Sequence, residues 1–250
     1  MNGLLYRTTR LCLVMLALAV TLGSAGCITT SSSVAPDDQA VWQRVEGILK
    51  QVSVGSSQQI WGSNPSNEVY RWTGGGWQKI EGRMSNVSAA ADGTVWGVAT
   101  NNELFRWTGS SWSKMPGTLR QVAVGSSSNV WGVTVADEVY RWTGSDWKFM
   151  NGTLRNISVA QDGTVWGVTI HSEVYRWTGT TWAKVPGTFK QVSVGSSGNI
   201  WGVNDMGEVF RWTGSDWKKL DGRIDYISAA ADGTVWGVTS SGEIYRRVRN

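Results

Sequence analysis

Residues 77–111 have the sequence WQKIEGRMSNVSAAADGTVWGVATNNELFRWTGSS, and close copies of this stretch lie on both sides of it. The copies follow a period of 35 residues without insertion or deletion. Each begins with a tryptophan: Trp42, Trp77, Trp112, Trp147, Trp182 and Trp217. A fixed period of this length is typical of solenoids, propellers and other repeat arrays. The six copies therefore decide the architecture before any single residue is considered.

The pattern within one copy is that of short β-strands, with no helical period. In the copy quoted above and its continuation, the sequence predicts strands at Asn86 to Ala90, Thr94 to Val98, Glu103 to Trp107 and Trp112 to Met115. Asp92-Gly93 predicts a tight turn between the first two, because this dipeptide adopts positive φ values readily. Four short antiparallel strands per copy predict an all-β fold, a six-bladed β-propeller with four-stranded antiparallel blades.

The two ends of the repeat region complete each other. The last copy stops with its third strand, Glu243 to Arg247, whereas the first copy begins with a surplus fourth strand, Val41 to Val45. We expect the N-terminal strand to pair with the C-terminal blade and close the ring, which hides the sheet edges. The sequence thus predicts one propeller domain over residues 41–250, with repeats at residues 42–76, 77–111, 112–146, 147–181, 182–216 and 217–247.

Aromatic and charged residues recur at fixed places in the copies. We expect the tryptophan before each mid-repeat glycine in the core, because an indole buries a large apolar area: Trp61, Trp96, Trp131, Trp166, Trp201 and Trp236. A glutamate precedes an arginine by three residues in every copy, as in Glu68 and Arg71. Residues three apart on a strand point to opposite faces. We therefore expect each blade's glutamate to pair with the next blade's arginine in an inter-blade ion-pair belt.

The N-terminal segment has the features of an export signal. Arg7 and Arg10 precede an apolar run at 11–22, and small residues follow at 23–26, which is the order of a secretory signal peptide. We expect residues 1–26 to be removed and residues 27–40 to form a flexible tether, since they offer little to bury. Cys27 would then come first, with no other cysteine in the mature chain.

This arrangement resembles the lipobox of bacterial lipoproteins, although Ser24 stands where the lipobox usually has leucine. The resemblance implies acylation of Cys27, and Ile28 after it implies the outer membrane. The alternative is a plain secreted protein in which Cys27 has no special role. Either way, the sequence predicts an exported protein whose contact with a membrane is confined to a lipid anchor.

The composition disfavours several classes of function. The formal net charge of +4 is too small for a nucleic-acid-binding protein, which needs clustered basic residues. The one histidine, His171, has no recurring serine or carboxylate beside it in the sequence. We therefore expect no enzyme, since general acid-base catalysis needs a positioned partner. The sequence has no His/Cys cluster that would suggest a metal site, and we expect no cofactor.

Three stretches of the fifth copy resemble the tectonin repeat: WAKVPGTFKQVSVG at residues 182–195, NIWGVN at 199–204 and VFRWTG at 209–214. The resemblance extends over residues 41–247. It implies a six-bladed propeller lectin, similar to tachylectin-1 and the fish-egg lectins, which binds cell-surface glycans or lipopolysaccharide through several equivalent sites. WD and kelch repeats fit less well, because their units are longer and their signatures are absent.

The loop between the second and third strands varies most from copy to copy, which marks it as exposed. Amide and hydroxyl groups near an indole suit sugar recognition. We select one residue in each loop as a candidate glycan contact: Asn64, Asn101, Thr134, His171, Asn204 and Thr239. The alternative explanation is that surface loops are polar in most proteins.

The first turn of the repeat comes in two alternating forms. Gly-Ser-Ser begins at Gly55, Gly125 and Gly195, whereas the other three copies have Asp-Gly. The duplicating unit is therefore a pair of repeats, and sites between blades come in two kinds, three of each. A multivalent glycan-binding protein is the first hypothesis. The second is a non-catalytic scaffold that docks a protein partner, which would expose an apolar or charged patch on one arc of the ring.

Overall fold

Residues 40–249 are the part of the chain that the computed structural model describes. They form a ring of six four-stranded antiparallel sheets and contain no helix. The predicted all-β, six-bladed propeller is thus confirmed. The predicted signal peptide (residues 1–26), nearly all of the predicted tether (residues 27–40) and the predicted lipidation site Cys27 lie outside the described residues.

Blades 1 to 5 each consist of four consecutive strands, and blade 6 combines the last three strands with the first. In chain order the strands are β1 (Ala40–Ile48), β2 (Gln51–Ser56), β3 (Gln59–Ser63), β4 (Glu68–Trp72), β5 (Trp77–Arg83), β6 (Asn86–Ala89), β7 (Val95–Val98), β8 (Glu103–Trp107), β9 (Trp112–Thr118), β10 (Gln121–Ser126), β11 (Asn129–Val133), β12 (Glu138–Trp142), β13 (Trp147–Thr153), β14 (Asn156–Val159), β15 (Val165–Val168), β16 (Glu173–Trp177), β17 (Trp182–Thr188), β18 (Gln191–Ser196), β19 (Asn199–Val203), β20 (Glu208–Trp212), β21 (Trp217–Arg223), β22 (Tyr226–Ala229), β23 (Val235–Val238) and β24 (Glu243–Arg249). Blade 1 begins with β2, and blade 6 contains β22, β23, β24 and β1.

Blade 2 shows how one repeat folds. Its first three strands fall within the predicted segments, whereas β9 continues to Thr118, past the predicted end at Met115. A register shift between Glu103 and Leu104 brings Glu103 opposite Thr118 and accounts for the longer strand. Gly93, with a φ of 84°, closes the predicted Asp-Gly turn in a backbone region that glycine enters without strain.

The N-terminal strand closes the ring. β1 is the outermost strand of blade 6 and pairs antiparallel with β24, from Ala40 opposite Arg249 to Val45 opposite Ile244. It begins one residue before the predicted start at Val41. Val45 is also buried in a cluster with residues of β3 and β23. β1 therefore contributes apolar packing as well as backbone hydrogen bonds.

Closure by β1 predicts a large difference between two truncations. A protein that lacks residues 27–40 keeps nearly all of β1, whereas one that lacks residues 27–46 loses Val41 to Val45 and their ladder to β24. We expect the longer deletion to lower the melting temperature by roughly 10 °C or more, since several kcal/mol are lost, and the shorter one to leave it nearly unchanged. Equal melting temperatures by circular dichroism would show that β1 does not hold the ring closed.

Tryptophans from adjacent blades pack edge to face at the blade boundaries. Trp61 of blade 1 meets Trp107 and Trp112 of blade 2, with ring-centre distances of 5.8 and 6.3 Å. Four other boundaries have the same triad: Trp96 with Trp142 and Trp147, Trp131 with Trp177 and Trp182, Trp166 with Trp212 and Trp217, and Trp236 with Trp72 and Trp77. Each second-strand tryptophan is at most 3 % exposed. The triads fill the wedges between blades and add edge-to-face attraction to the burial of the rings.

The boundary between blades 5 and 6 departs from this triad. Arg247 stands where the other blades have their third-strand tryptophan. Its guanidinium carbon lies 5.6 Å from the ring centre of Trp201 and 5.7 Å from that of Trp42. A cation–π contact thus replaces the third indole at the boundary where β1 completes the last blade.

The fourth-strand tryptophans tie each blade to the one before it. Trp182 Nε1 donates a hydrogen bond to the carbonyl oxygen of Met150 at 3.1 Å. Equivalent bonds are donated by Trp42, Trp77, Trp112, Trp147 and Trp217. A glycine lies against each indole, and a Cβ atom on Gly152 would be only 2.4 Å from Trp182 Nε1. The indole thus packs directly on the backbone of the repeated glycine, which at five of the six positions also has a positive φ: Gly47, Gly82, Gly117, Gly187 and Gly222.

This contact predicts that Gly152→Ala destabilises the propeller. The φ of Gly152 lies outside the left-handed region, so the penalty comes from the clash with Trp182 and not from the backbone. We expect a loss of about 1–3 kcal/mol in the free energy of unfolding, as for other overpacked sites. Gly198→Ala is the control, because its Cβ would meet no atom within 4 Å. Urea denaturation of both variants measures the difference, and equal losses would contradict the steric account.

The predicted inter-blade Glu–Arg belt is wrong. Glu68 instead pairs with Lys79 of its own blade, at 2.6 Å, and the same pairing joins Glu103 to Lys114, Glu173 to Lys184 and Glu208 to Lys219. Lys79 lies opposite Tyr70 in the ladder, and therefore on the same face as Glu68. Hydrogen bonds from Lys79, which has the largest effect, and from Asn64 and Tyr70 together lower the pKa of Glu68 to about 2. Arg71 points to the other face, 5.8 Å from the ring centre of Trp61.

The first strands of the six blades line a central channel of about 60 Å³, and their side chains bond to the neighbouring backbone. Gln51 accepts a hydrogen bond from Val87 N at 3.0 Å and donates one to Val87 O at 2.5 Å. In the next blade, Ser88 Oγ accepts from Val124 N at 2.9 Å. These bonds cross the blade boundaries and satisfy backbone groups that have no strand partner there.

Candidate binding grooves between the blades

The antiparallel order of each blade places its connections on two faces of the ring. One face, the turn face, carries the turns between strands 1 and 2 and between strands 3 and 4, such as residues 90–94 and 108–111. The other, the loop face, carries the loops between strands 2 and 3, such as residues 99–102, and the connections to the next blade. Leu119 N of one such connection donates to Asn102 O at 3.0 Å. A ligand can therefore meet two chemically different surfaces.

A groove of about 770 Å³ crosses blades 3, 4 and 5 on the turn face. At the boundary of blades 4 and 5 its lining comprises Asp162, Trp166, Arg176, Ser197, Ile200 and Trp212. Arg176 and Ser197 are exposed, whereas Trp166 is buried and packs edge to face on the half-buried Trp212. The groove thus combines exposed hydrogen-bonding groups with an indole surface beneath them.

The same set of residues lines a second groove, of about 350 Å³, at the boundary of blades 6 and 1: Asp232, Trp236, Arg246, Ser57, Ile60 and Trp72. The boundary of blades 2 and 3 has the corresponding residues in sequence, with one change of isoleucine to valine: Asp92, Trp96, Arg106, Ser127, Val130 and Trp142. Three boundaries around the ring therefore share one combination of side chains.

An aspartate joins the two blades at each of these boundaries. Asp162 accepts hydrogen bonds from Ser197 N at 2.8 Å and from Thr164 N at 3.0 Å. Asp92 and Asp232 bond in the same way to the backbone of Ser127 and Ser57. Burial acts to raise the pKa of Asp162, but the bonds from the two backbone amides outweigh it and lower that pKa. The aspartate thus accepts hydrogen bonds from the next blade as well as from its own turn.

The alternate boundaries are built differently. At the boundary of blades 3 and 4, Asn129 Nδ2 donates to Ala160 O at 3.0 Å, and its Oδ1 accepts from Trp131 Nε1 at 2.9 Å. Asn199 makes the equivalent bonds between blades 5 and 6, and Gln59 occupies this position in blade 1. Two kinds of boundary therefore alternate around the ring, as the paired-repeat unit of the sequence predicts.

Comparison with protein families agrees with this geometry. The Tectonin domain matches the chain in four overlapping segments, residues 16–108, 50–144, 90–176 and 121–250. The chain belongs to the tectonin family. No curated protein sequence matches it.

Solved propellers share the fold of this tectonin propeller. The structure of YCF48 bound to D1 peptide is 14 % identical over 85 % of this chain and 96 % of that chain, with a TM-score of 0.56. YCF48 from Cyanidioschyzon merolae is 17 % identical over 83 % and 85 % of the two chains, with a TM-score of 0.55. The WD40 β-propeller domain of Doa1 is 13 % identical over 84 % and 97 %, with a TM-score of 0.59. Likeness at such low identity shows the fold alone.

The six candidate glycan contacts lie on the loop face, one in each blade: Asn64, Asn101, Thr134, His171, Asn204 and Thr239. Asn64 binds Glu68 twice, since its Nδ2 donates to Glu68 Oε2 at 2.7 Å and its Oδ1 accepts from Glu68 N at 2.9 Å. Four others also accept from the backbone amide of their own blade's glutamate: Asn101, Thr134, Asn204 and Thr239. His171 is exposed. The structure thus gathers these residues on one face, where five of the six shape their own loops.

The candidate contacts do not include the groove residues of the turn face. Asp162 and Ser197 are 35 residues apart, so their meeting depends on how one blade stacks on the next. The sequence contains a signal for this contact, because Asp-Gly repeats alternate with Gly-Ser-Ser repeats. The alternating repeats could have indicated that the boundaries between blades are of two kinds, but not on which face of the ring the grooves lie.

Within residues 40–249, no three His, Cys, Asp or Glu side chains come together in a way that could hold a metal ion. The same stretch includes no helix with the length and apolar character needed to cross a bilayer.

The bonds of Asp162 predict an acid-sensitive contribution to stability. Asp162→Ala should lower the free energy of unfolding at neutral pH by about 1–3 kcal/mol, because two backbone amides lose a charged partner. The lowered pKa means that this contribution is present above the ordinary value of 3.8 and is lost as the pH falls through the folded-state value. Denaturation at pH 7 and pH 3 should show the difference from wild type shrinking. Asp205→Ala, at an exposed loop position, is the control, and a difference independent of pH would contradict a role for the charge.

Proposed function

We propose that this tectonin propeller binds carbohydrates at several similar grooves of its turn face, with weak affinity at each. One observation carries the proposal: the same aspartate, serine, arginine and tryptophan positions recur at three boundaries around the ring. A repeated site suits a ligand that is itself repeated, such as the glycans of a cell surface or lipopolysaccharide. The family resemblance points to the same class of ligand.

Each groove offers the groups that a sugar needs. At the boundary of blades 4 and 5, the exposed guanidinium of Arg176 presents several N–H donors, and the hydroxyl of Ser197 can donate or accept. The half-buried indole of Trp212 offers an apolar surface to the C–H face of a sugar ring. Convergent polar groups would fix the orientation of the sugar, while the indole supplies contact area.

Several weak grooves give strong binding only to a dense surface. A single site with a millimolar Kd contributes only about 4 kcal/mol. Simultaneous engagement of several sites raises the apparent affinity by roughly 10² to 10⁴. We therefore expect weak binding of free sugar and strong binding of crowded glycans, with a stoichiometry of three or six per chain.

The proposal includes export and the absence of catalysis. The N-terminal sequence supports export, with attachment to the outer membrane through lipid on Cys27, or secretion if that cysteine is not acylated. Membrane contact would then be limited to the anchor, which needs more than one acyl chain to be stable. The groove residues serve binding and not reaction, since the grooves combine arginine, serine and indole with an aspartate already bonded to two amides.

Retention on glycan-coated surfaces tests the proposal and the face that binds. The triple variant Arg106→Gln, Arg176→Gln, Arg246→Gln changes one arginine in each of the three equivalent boundaries. The loop-face control changes Asn101→Ala, His171→Ala and Ser241→Ala, which are equivalent positions in the same three blades. We expect the groove variant to lose at least about tenfold in apparent affinity, because each site is weakened at once, and the control to stay within about twofold.

If the loop-face control lost more apparent affinity than the groove variant, the glycan would bind at the loop residues predicted from sequence and not in the grooves. Failure to bind any of a diverse panel of glycans, with both variants folded, would reject carbohydrate binding and favour the second candidate. One tight site per chain would also contradict the multivalent proposal.

The second candidate is a protein-docking scaffold, and one observation favours it. Val135, Ile170 and Met206 lie in the loops of three consecutive blades on the loop face and are 70 %, 56 % and 63 % exposed. The loops of the other three blades carry mainly polar residues at these positions. An apolar arc on one side of the ring fits an asymmetric protein partner better than a repeated sugar.

A further inference from the structure

Blade 3 lacks an ion pair that the other five blades share. In those blades the glutamate that begins the third strand pairs with a cationic side chain of the fourth strand: Glu68 with Lys79, Glu103 with Lys114, Glu173 with Lys184, Glu208 with Lys219 and Glu243 with Arg44. In blade 3 the glutamate is Glu138, and Phe149 stands at the position of the cation. Across residues 40–249, no Lys, Arg or His side chain lies within ion-pair distance of Glu138.

Glu138, Tyr140 and Phe149 lie on one face of blade 3, and these three residues are here called the blade 3 wall. Glu138 and Tyr140 are two residues apart on β12 and therefore point to the same face. Phe149 of β13 lies opposite Tyr140 in the ladder. The ring centres of Tyr140 and Phe149 are 5.4 Å apart, with the rings inclined at 52°. The wall thus places a carboxylate and two aromatic rings on the same surface.

The blade 3 wall is open to solvent. Phe149 is 44 % exposed, and no other aromatic side chain in the part of the chain from 40 to 249 is classed as exposed. Glu138 is exposed as well, whereas the corresponding glutamates of the other blades are half-buried: Glu68, Glu103, Glu173, Glu208 and Glu243. The glutamate is therefore more accessible in the one blade where phenylalanine replaces the cation.

The cations on the two strands of the wall lie on the opposite face. Lys148 and Arg141 face each other in the β12–β13 ladder, each directly next to a wall residue in sequence, so they point away from the wall. The guanidinium carbon of Arg141 lies 5.8 Å from the ring centre of Trp131 on that other side. The charge of the wall itself is negative, and the group that complements it is a cation.

We infer that the blade 3 wall binds a protonated amino sugar, at one site per propeller. The ammonium group pairs with Glu138, as a lysine ammonium pairs with the glutamate in four other blades. It also meets the faces of the two rings, which attract cations, while the apolar C–H face of the sugar packs on Phe149. The cation follows from the wall residues, and the sugar part rests on the proposed function.

The chemistry of the wall selects the free amine. Acetylation of an amino sugar removes its positive charge, as acetylation of lysine does. The acetylated sugar keeps its ring and its contact with Phe149 but loses the ion pair and the cation–π contact. The wall therefore distinguishes glycans that carry a free amine from glycans in which the amine is acetylated.

NMR titration of the ¹⁵N-labelled protein at about pH 6, where the amine is protonated and an exposed carboxyl is ionised, tests the wall with three probes. They are glucosamine, N-acetylglucosamine and Nα-acetyl-lysine amide. We expect glucosamine to shift the backbone amide signals of β12 and β13 with a Kd in the millimolar range. N-acetylglucosamine should bind at these signals at least about fivefold more weakly, because it lacks the charge. The lysine derivative should bind at least about threefold more weakly than glucosamine, because it lacks the sugar ring.

Two variants remove the site. Phe149→Lys gives blade 3 the residue of four other blades, so it is not foreign to the fold. The new ammonium would pair with Glu138 and repel the ligand, and the affinity for glucosamine should fall at least about tenfold. Glu138→Gln removes the charge alone and should lower the affinity about three- to fivefold. Glu81→Gln, which removes an exposed carboxylate from the fourth strand of blade 1, is the control and should stay within about twofold.

One further variant should create the site in another blade. Lys184→Phe breaks the ion pair of Glu173 and places a phenylalanine across the ladder from Tyr175 or its neighbour, as in blade 3. The replaced lysine side chain is 58 % exposed, so the change is tolerated on the surface. We expect glucosamine then to shift the signals of β16 and β17 as well as those of β12 and β13, which corresponds to two sites per chain.

Three results would overturn the inference: equal binding of glucosamine and N-acetylglucosamine, no loss in Phe149→Lys, or no new shifts in Lys184→Phe. Binding of the lysine derivative as tightly as glucosamine would also overturn it, and would assign the wall to a lysine of a protein partner.

The proposed function fails separately, because these variants leave the arginines of the turn face unchanged. If dense glycans retain the protein through those arginines while glucosamine does not shift β12 and β13, only the wall is rejected. If glucosamine binds at the wall while the groove variant behaves as the parent protein, the grooves are rejected as glycan sites and the wall stands.

Discussion

The packing of indoles between blades is the interaction on which the rest of the structure depends. A single four-stranded blade cannot bury its own faces, so it is stable only against neighbours, and the wedge between two blades must be filled. Trp61 fills it with two tryptophans of the next blade, and four other boundaries do the same. The indole N–H groups of the outer strands then bond to the preceding blade. Burial, edge-to-face contact and hydrogen bonding thus act at the same places.

Polar contacts between the blades reduce the nearly sixfold symmetry of the ring to a threefold repeat. The aspartate of every second blade reaches the serine backbone of the blade after it, while asparagine or glutamine occupies the alternate boundaries. The grooves of the turn face follow the same division, which is why their residues recur three times. The closing blade departs from this symmetry, because the chain must supply its fourth strand from the other end. The repeated grooves and the groove residues of the closing blade therefore lie on the same face of the ring, the turn face.

The fold could be predicted from the sequence because a fixed period leaves few alternatives, and the surplus strand at Val41 to Val45 shows how the ring closes. The pairing of Glu68 was not predictable from the Glu–Arg spacing alone, since it depends on Lys79 lying across the ladder beside Tyr70. The loops on which the candidate contacts lie were visible as variable segments. The grooves were not, because Asp162 and Ser197 meet only when two blades are stacked. Contacts within a strand pair or loop follow from local sequence, whereas contacts between blades need the ring.

The position of Ala40 opposite Arg249 has a mechanical consequence. The preceding chain enters the propeller at this outermost pair of the β1–β24 ladder, on the same side of the ring as the grooves. Tension between that entry point and a ligand held in the grooves would enter and leave the domain at one end. Such a load acts on one residue pair at a time, as in opening a zipper, and not on the whole ladder together. A ring held together by packing at every blade boundary would therefore yield to a pull at a single strand.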